Sequence, residues 1–276
     1  MNIFKMRFPN GLTKALTFSY DDGAVQDNRL VGIFDKYGMK ATFNLNSGLM
    51  GEDQNTNGRL TYKQAFDLFA NSPHEVALHG CRHPRLETMP IELAAREILE
   101  DRKNLEGLFK RPITGLAYPL GGVTDSVIKM LKNCGISYGR TVAQTLKFNV
   151  PRDTDDWYLF EPTCHHNNSK LFELADEFIS VTPDQYPYLF FIWGHSSDFD
   201  IDNNWERIEE FCQKMCGKND IWYATNIEIY NYFDAYNNLI FSSACTRVYN
   251  PSAIPVWFQI DKKLYRVNPD ETLEIK

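Results

Sequence analysis

At 276 residues the chain can bury a large core, either as one barrel-sized domain or as two smaller ones. Hydrophobic content of 43% with 24% charged residues is that of an ordinary globular protein. The 36 acidic against 29 basic side chains give a net charge of −7, which argues against a nucleic-acid partner and an anionic membrane surface.

No apolar run reaches membrane-spanning length. Residues 1–14 carry Lys5, Arg7 and Lys14 with no continuous apolar stretch, so they do not read as a signal peptide, and the expected location is the cytoplasm. Six cysteines at this length make no disulfide framework and are expected as thiols. Cys212 and Cys216, four apart on a predicted helix, read as packing residues.

Ala15 to Phe18 is short, apolar and partly β-branched, which predicts a buried strand ending in Asp21-Asp22-Gly23. Gln26 to Tyr37 has helical periodicity and Gly38 stops it. Ala41 to Leu45 is a second strand, and residues 48–59 form a loop. Thr61 with Gln64 makes a capping box for a helix to about Asn71. Glu75 to Leu78 is the third strand. Pro90 opens a long helix to Phe109, with Leu93, Ile98, Leu105 and Leu108 as its apolar stripe. Ile113 to Tyr118 is a strand, Ser126 to Cys134 a helix and Ile136 to Val142 another strand. Beyond these come a possible strand at Trp157 to Phe160, a helix over Lys170 to Val181 and a clear strand at Tyr188 to Trp193. A helix from Trp205 to Cys216, a short strand at Ile221 to Ala224 and a closing helix at Asn226 to Asn237 follow.

This alternation predicts an α/β fold, a distorted (β/α) barrel of about seven parallel strands. After Asn238 the segments Leu239–Phe241, Thr246–Tyr249, Val256–Ile260 and Leu264–Val267 are short and separated by turns. Residues 1–237 are therefore expected as the barrel and 238–276 as a small antiparallel β appendage.

Two adjacent carboxylates at the end of a buried strand repel each other, and a cation is the natural compensation: one ligates it, the other accepts a proton. The bland alternative is a surface Asp-Asp-Gly turn. His79 and His83 stand four apart just after the third strand, on one face of a helical turn, where both rings can reach one ion. Asp21 and Asp22, His79, Tyr118-Pro119, Arg140 and His195 all fall at or just past predicted strand ends, which gather on one rim of a parallel barrel. One carboxylate and two imidazoles make a facial metal set with positions left open.

With those residues in hand, the sequence resembles the polysaccharide deacetylases with a NodB homology domain, over about residues 14–230. Ser19-Tyr20-Asp21-Asp22-Gly23 is similar to that family's first motif and Glu75 to Pro84, with His79 and His83, to its second. Lys40-Ala41-Thr42-Phe43 is similar to its second strand. Leu116 to Gly121 stands at the third motif, but Ala117 replaces a frequent Arg. Arg140 either supplies the missing guanidinium or makes a structural ion pair. Phe190 to His195 is similar to the last motif, with Trp193 in place of a usual Leu. Asp155-Asp156-Trp157 either corresponds to the fourth motif or forms a solvated acidic loop. Cys164-His165-His166 reads as rim residues contacting substrate.

The resemblance implies metal-dependent hydrolysis of an amide, with N-deacetylation of an amino sugar or glycan first in line. Asp21 would be the base, His195 the general acid and Asp22, His79 and His83 the ligands of a divalent ion, zinc before cobalt, manganese or nickel. Tyr118, Pro119, Leu120 and Trp193 would line the substrate, the Leu120 N–H facing the oxyanion. A deformylase or cyclic-imide hydrolase on the same scaffold, or a carbohydrate-binding protein without turnover, stays open. The expected partner is a carbohydrate or small N-acyl compound, and a homo-oligomer is left open.

Overall fold

The computed structural model describes residues 4–52, 57–151 and 154–275, without the side chains of Thr154 and Asp155. In chain order the elements are β1 (Phe4–Arg7), β2 (Lys14–Asp21), α1 (Asp27–Tyr37), β3 (Ala41–Leu45), α2 (Tyr62–Phe69), β4 (Glu75–Leu78) and α3 (Ile91–Phe109). Next come β5 (Gly115–Ala117), α4 (Asp125–Asn133), β6 (Tyr138–Arg140), β7 (Cys164–His165), α5 (Leu171–Ser180), β8 (Tyr188–His195), α6 (Asp198–Ile201) and α7 (Trp205–Met215). The chain finishes with β9 (Ile221–Tyr223), α8 (Asn226–Asn237), β10 (Ile240–Phe241), β11 (Arg247–Tyr249), β12 (Val256–Ile260), β13 (Lys263–Val267) and β14 (Thr272–Glu274). Among the described residues no helix is long and apolar enough to cross a membrane.

Seven parallel strands follow the order β6-β5-β4-β3-β2-β8-β7, and β9 pairs with the first half of β2. Three strands separate β6 from β2 along that path, yet Arg140 on β6 hydrogen-bonds Asp21 on β2. Only a sheet curled into an open barrel brings those ends together. The segment from Phe160 to His165 spans the remaining gap: Phe160 bridges to Arg140 at one end and β7 pairs with β8 at the other.

Side-chain alternation divides the barrel into two cores. Leu16, Phe18 and Tyr20 of β2, with Phe190 and Ile192 of β8, face outward into the layer packed by the helices. Ala15 of β2, Leu189 and Phe191 of β8 and Tyr138 of β6 pack in a second cluster with α8 and the tail strands. That cluster includes Phe258, Val248 and Tyr232, so the tail and α8 plug the barrel at the N-terminal ends of its strands. The interior row then turns polar toward the other end, through Ser19 and Trp193 to Asp21 and His195, which are paired in register.

Helix ends follow the sequence closely. Thr61 and Gln64 form the expected capping box, Thr225 and Glu228 form another, and Gly38 ends α1 at φ 66°.

Several expectations are corrected. Trp157 to Phe160 is not a strand: residues 154–159 form a 3-10 turn, with Trp157 buried among aromatic rings of the plug. Leu93 is 48% exposed, because the buried stripe of α3 runs through Ala94, Ile98, Asp101, Leu105 and Phe109. β1, β7 and β14 were not foreseen. β1 pairs antiparallel with β12, which also pairs with β13, while β10, β11 and β14 form a separate sheet.

Candidate active site

The C-terminal ends of β2, β4, β6 and β8 deliver the polar groups of the rim. Asp21, the last residue of β2, is 2% exposed and its two oxygens have different surroundings. Oδ1 accepts from Asn44 Nδ2 at 2.9 Å and from Arg140 Nη2. Oδ2 faces His79 Nε2 at 3.8 Å and His195 Nε2 at 4.0 Å. Burial raises the Asp21 carboxyl, but Arg140, His79 and His195 outweigh it and hold the group down at about 2. Arg140 is wholly buried, its guanidinium 5.0 Å from the Trp193 ring centre. Ala117, aligned with Arg140 in the neighbouring strand, has only a methyl group there.

Asp22 turns away from its neighbour because its backbone leaves the strand at φ 87°, a left-handed conformation costly for a non-glycine residue. His83 at φ 57° and Leu120 at φ 58° are in the same region, so strain gathers along this rim. Asp22 Oδ1 lies 3.7 Å from both His79 Nε2 and His83 Nε2. One donor atom from each of the three falls within 4.8 Å of the others.

His79 is fixed from behind. Its Nδ1 stands 2.9 Å from the Ala117 carbonyl, which can only accept, so Nδ1 carries the proton and Nε2 offers a lone pair. Burial first, with Arg140 adding to it, pulls its imidazole down to about 4 despite the two aspartates, which keeps the ring neutral. Asp101 on α3 accepts the backbone N–H groups of both His79 and Ser47, and Asn46 Nδ2 donates to the His79 and Gly80 carbonyls. These bonds tie the His79–His83 turn to β3 and α3.

Two neutral imidazole nitrogens and a carboxylate oxygen are a donor set suited to zinc and similar divalent ions. Asp22 Oδ1 is buried with no hydrogen bond, an orphaned acceptor in the middle of that set. Arg59 lies alongside: it bonds the Asp22 carbonyl, and its Nη1 stands 3.0 Å from Oδ1 outside hydrogen-bonding geometry.

His195 closes the rim from β8. Its Nδ1 donates to Asp198 Oδ2 at 3.3 Å, which leaves Nε2 toward Asp21. Burial lowers its pKa, but Asp198 and Asp21 together raise it above the ordinary value.

Other expected site residues are placed differently. Tyr118 is wholly buried and its hydroxyl donates to the Tyr158 carbonyl, so it supports the rim from below instead of meeting substrate. Pro119 is buried beside it, Leu120 is exposed, and Trp193 is 9% exposed with its Nε1 unbonded. Asp156 is exposed and lines a cavity of about 780 Å³ beside Met6, Phe148 and Tyr186, whose lining includes none of Asp21, Asp22, His79, His83 and His195; Asp155 lies outside the described side chains. His166 is not a rim residue: it is buried between the Tyr20 and Phe199 rings. Sequence reasoning missed Asn44, Arg59, Asp101 and Asp198. Asn44 at the end of the second strand and Asp198 three residues past His195 had legible positions, whereas Arg59 and Asp101 come from a loop and a helix that gave no such cue.

A curled parallel α/β barrel with an Asp-His-His set on its C-terminal rim is the NodB-like class of fold. The family model described as polysaccharide deacetylase matches residues 9–139. A Mycobacterium smegmatis protein assigned as a polysaccharide deacetylase is similar at TM-score 0.58 and 18% identity, over 84% of this chain and 94% of that one. A family 4 carbohydrate esterase from Streptomyces lividans, solved with acetate, is similar at TM-score 0.50 and 15% identity, over 76% and 92%. The Streptococcus pyogenes deacetylase PplD, also solved with acetate, matches at 24% identity and TM-score 0.42 over 46% of this chain, which spans only 55% of that structure. No curated protein matches. The family-model match covers just under half of this chain, and the Mycobacterium smegmatis structure shares its fold.

Proposed function

We propose that this chain hydrolyses an amide with the help of a divalent metal, and that the amide is the N-acetyl group of an amino sugar or glycan. One observation carries the reading: the Asp22, His79 and His83 donors converge beside an Asp21 whose Oδ1 is pinned and whose Oδ2 is left facing the rim histidines. Asp22, His79 and His83 would hold the ion, which supplies Lewis-acid polarisation of the scissile carbonyl when bound. Asp21, kept ionised by Arg140, takes the proton of the attacking water. Arg140 and Asn44 fix that carboxylate so that the same oxygen always meets the water. His195, kept protonated to higher pH by Asp198, delivers a proton to the departing amine nitrogen. Trp193 walls the site between Arg140 and His195.

The test is a metal-stripped preparation reloaded with zinc, cobalt, manganese or nickel and offered three amide classes. Metal-dependent acetate release from N-acetylglucosamine oligomers is the expected result. Formate from N-formyl compounds, or ring-opened cyclic imides, would move the activity to another amide. Glycan binding without turnover under every metal would replace the enzyme with a binding protein.

A further inference from the structure

A second cluster stands on the rim beside the proposed metal cage. His165 at the end of β7, His195 at the end of β8 and Asp198 in the first turn of α6 bring one donor atom each within 4.8 Å of one another. Such a cluster can be a further cation site or a hydrogen-bonded relay, and the tautomer of His165 decides. The Asn167 backbone N–H donates to His165 Nδ1 at 3.2 Å, so Nδ1 holds a lone pair and Nε2 the proton. That proton faces Asp198 Oδ2 at 3.4 Å. To ligate an ion, Nε2 would pass its proton to Nδ1, directly against the Asn167 N–H.

The same carboxylate oxygen takes His195 Nδ1 at 3.3 Å and the His195 backbone N–H at 3.4 Å. The Trp193 ring meets the His165 ring edge to face, with centres 4.8 Å apart, and holds it in place. Gly194 makes room for the cluster: a Cβ there would lie 3.1 Å from His165 Nε2 and 2.0 Å from His166 Nδ1.

We propose that His165 is a positioning residue that shares the Asp198 carboxylate with His195 and thereby sets how readily His195 gives up its proton. The His165 Nε2–H, 3.4 Å from the same oxygen, draws off part of the charge that Asp198 would otherwise direct wholly at His195. The other groups facing His195 are Asp21 from β2, the Trp193 ring from its own strand and, at longer range, Asp22 and the neutral His166. The consequence for catalysis rests on the general-acid role proposed above; the sharing of Asp198 does not.

The experiment follows the His195 imidazole by histidine-selective NMR in the zinc-loaded protein, beside the pH profile of kcat/KM. Asp198→Asn is expected to lower the His195 pKa. His165→Ala is expected to raise it by about half a unit, because Asp198 then serves one imidazole alone. His165→Gln, which keeps an N–H at similar reach, is expected to stay near the parent value. An unchanged His195 in His165→Ala, or a fall like that of Asp198→Asn, overturns the proposal. A second bound zinc equivalent that His165→Ala abolishes overturns it in favour of a cation site. If the imidazole shifts as stated while kcat/KM does not follow, the relay stands and the general-acid role of His195 fails.

Discussion

Asp21 and Asp22 are neighbours with unlike tasks, and the backbone between them makes the difference: one ends a strand, the other starts a left-handed turn at φ 87°. Replacing Asp21 by Asn is expected to leave metal content unchanged, since Asp21 is outside the Asp-His-His set, while kcat falls by about 100-fold or more. Metal analysis paired with turnover checks both halves. Asp198→Asn is read from the alkaline side of the pH profile. His195 is competent while protonated, so activity declines as pH rises through its pKa. Asp198 raises that pKa, and its loss is expected to move the declining limb to lower pH with a drop in kcat. At this scale the motif residues were legible because strand ends announce themselves by an abrupt change from apolar to charged. Arg140 was nameable as a guanidinium at a strand end, but its reach across the barrel depends on curl, which no local pattern encodes. Tyr118 looked like a pocket residue and is a buried prop, because the sequence does not say which way a ring at a strand end will turn.

Lys14 shows how one element is tied to the next. It opens β2 almost wholly buried, and its Nζ donates to the carbonyls of Phe178, Ile179 and Val181 at 3.1–3.2 Å and pairs with Asp220 at 2.7 Å. The free carbonyls and dipole at the C-terminus of α5 are thereby satisfied by a cation. Lys14→Met is expected to lower stability by about 2 kcal/mol through the carbonyls left unbonded, measured by urea unfolding. The long amphipathic helices and the apolar strands were readable from periodicity, since their burial is on one side or on both. The run from Trp157 to Phe160 has strand composition, yet its rings are drawn into the plug and its backbone coils into a 3-10 turn. β7 is two residues long, too short to leave any period.

For the molecule as a whole, pH and metal are the levers. Glu75 at the start of β4 is buried with its carboxyl bonded by Thr42, Tyr138 and the Ile227 N–H, and burial still pushes it from 4.5 up to about 7. A raised carboxylate pKa means the fold prefers the protonated form. Its contribution is full below about 4.5 and is lost as pH climbs through about 7, a change on the order of 3 kcal/mol. Glu75→Gln is expected to flatten that decline, seen as a smaller difference in urea midpoint between pH 5 and pH 8 (about one unit beyond the folded pKa). If the Asp-His-His set binds zinc, added zinc is expected to raise the melting temperature with the logarithm of its excess over Kd, and His83→Ala to abolish the rise. The barrel was legible as a whole because its alternating units repeat, but the partner of β1 was not. Arg7 on β1 bonds Gln259 on β12, 252 positions away, and Tyr232 Oη links the same two strands by donating to the Arg7 carbonyl and accepting from the Trp257 N–H. During synthesis β1 therefore leaves the ribosome long before the strand it must meet, and its edge waits unpaired while the parallel sheet assembles around β2. Emergence of β12, not completion of the barrel, is the moment at which the base of the molecule is sealed.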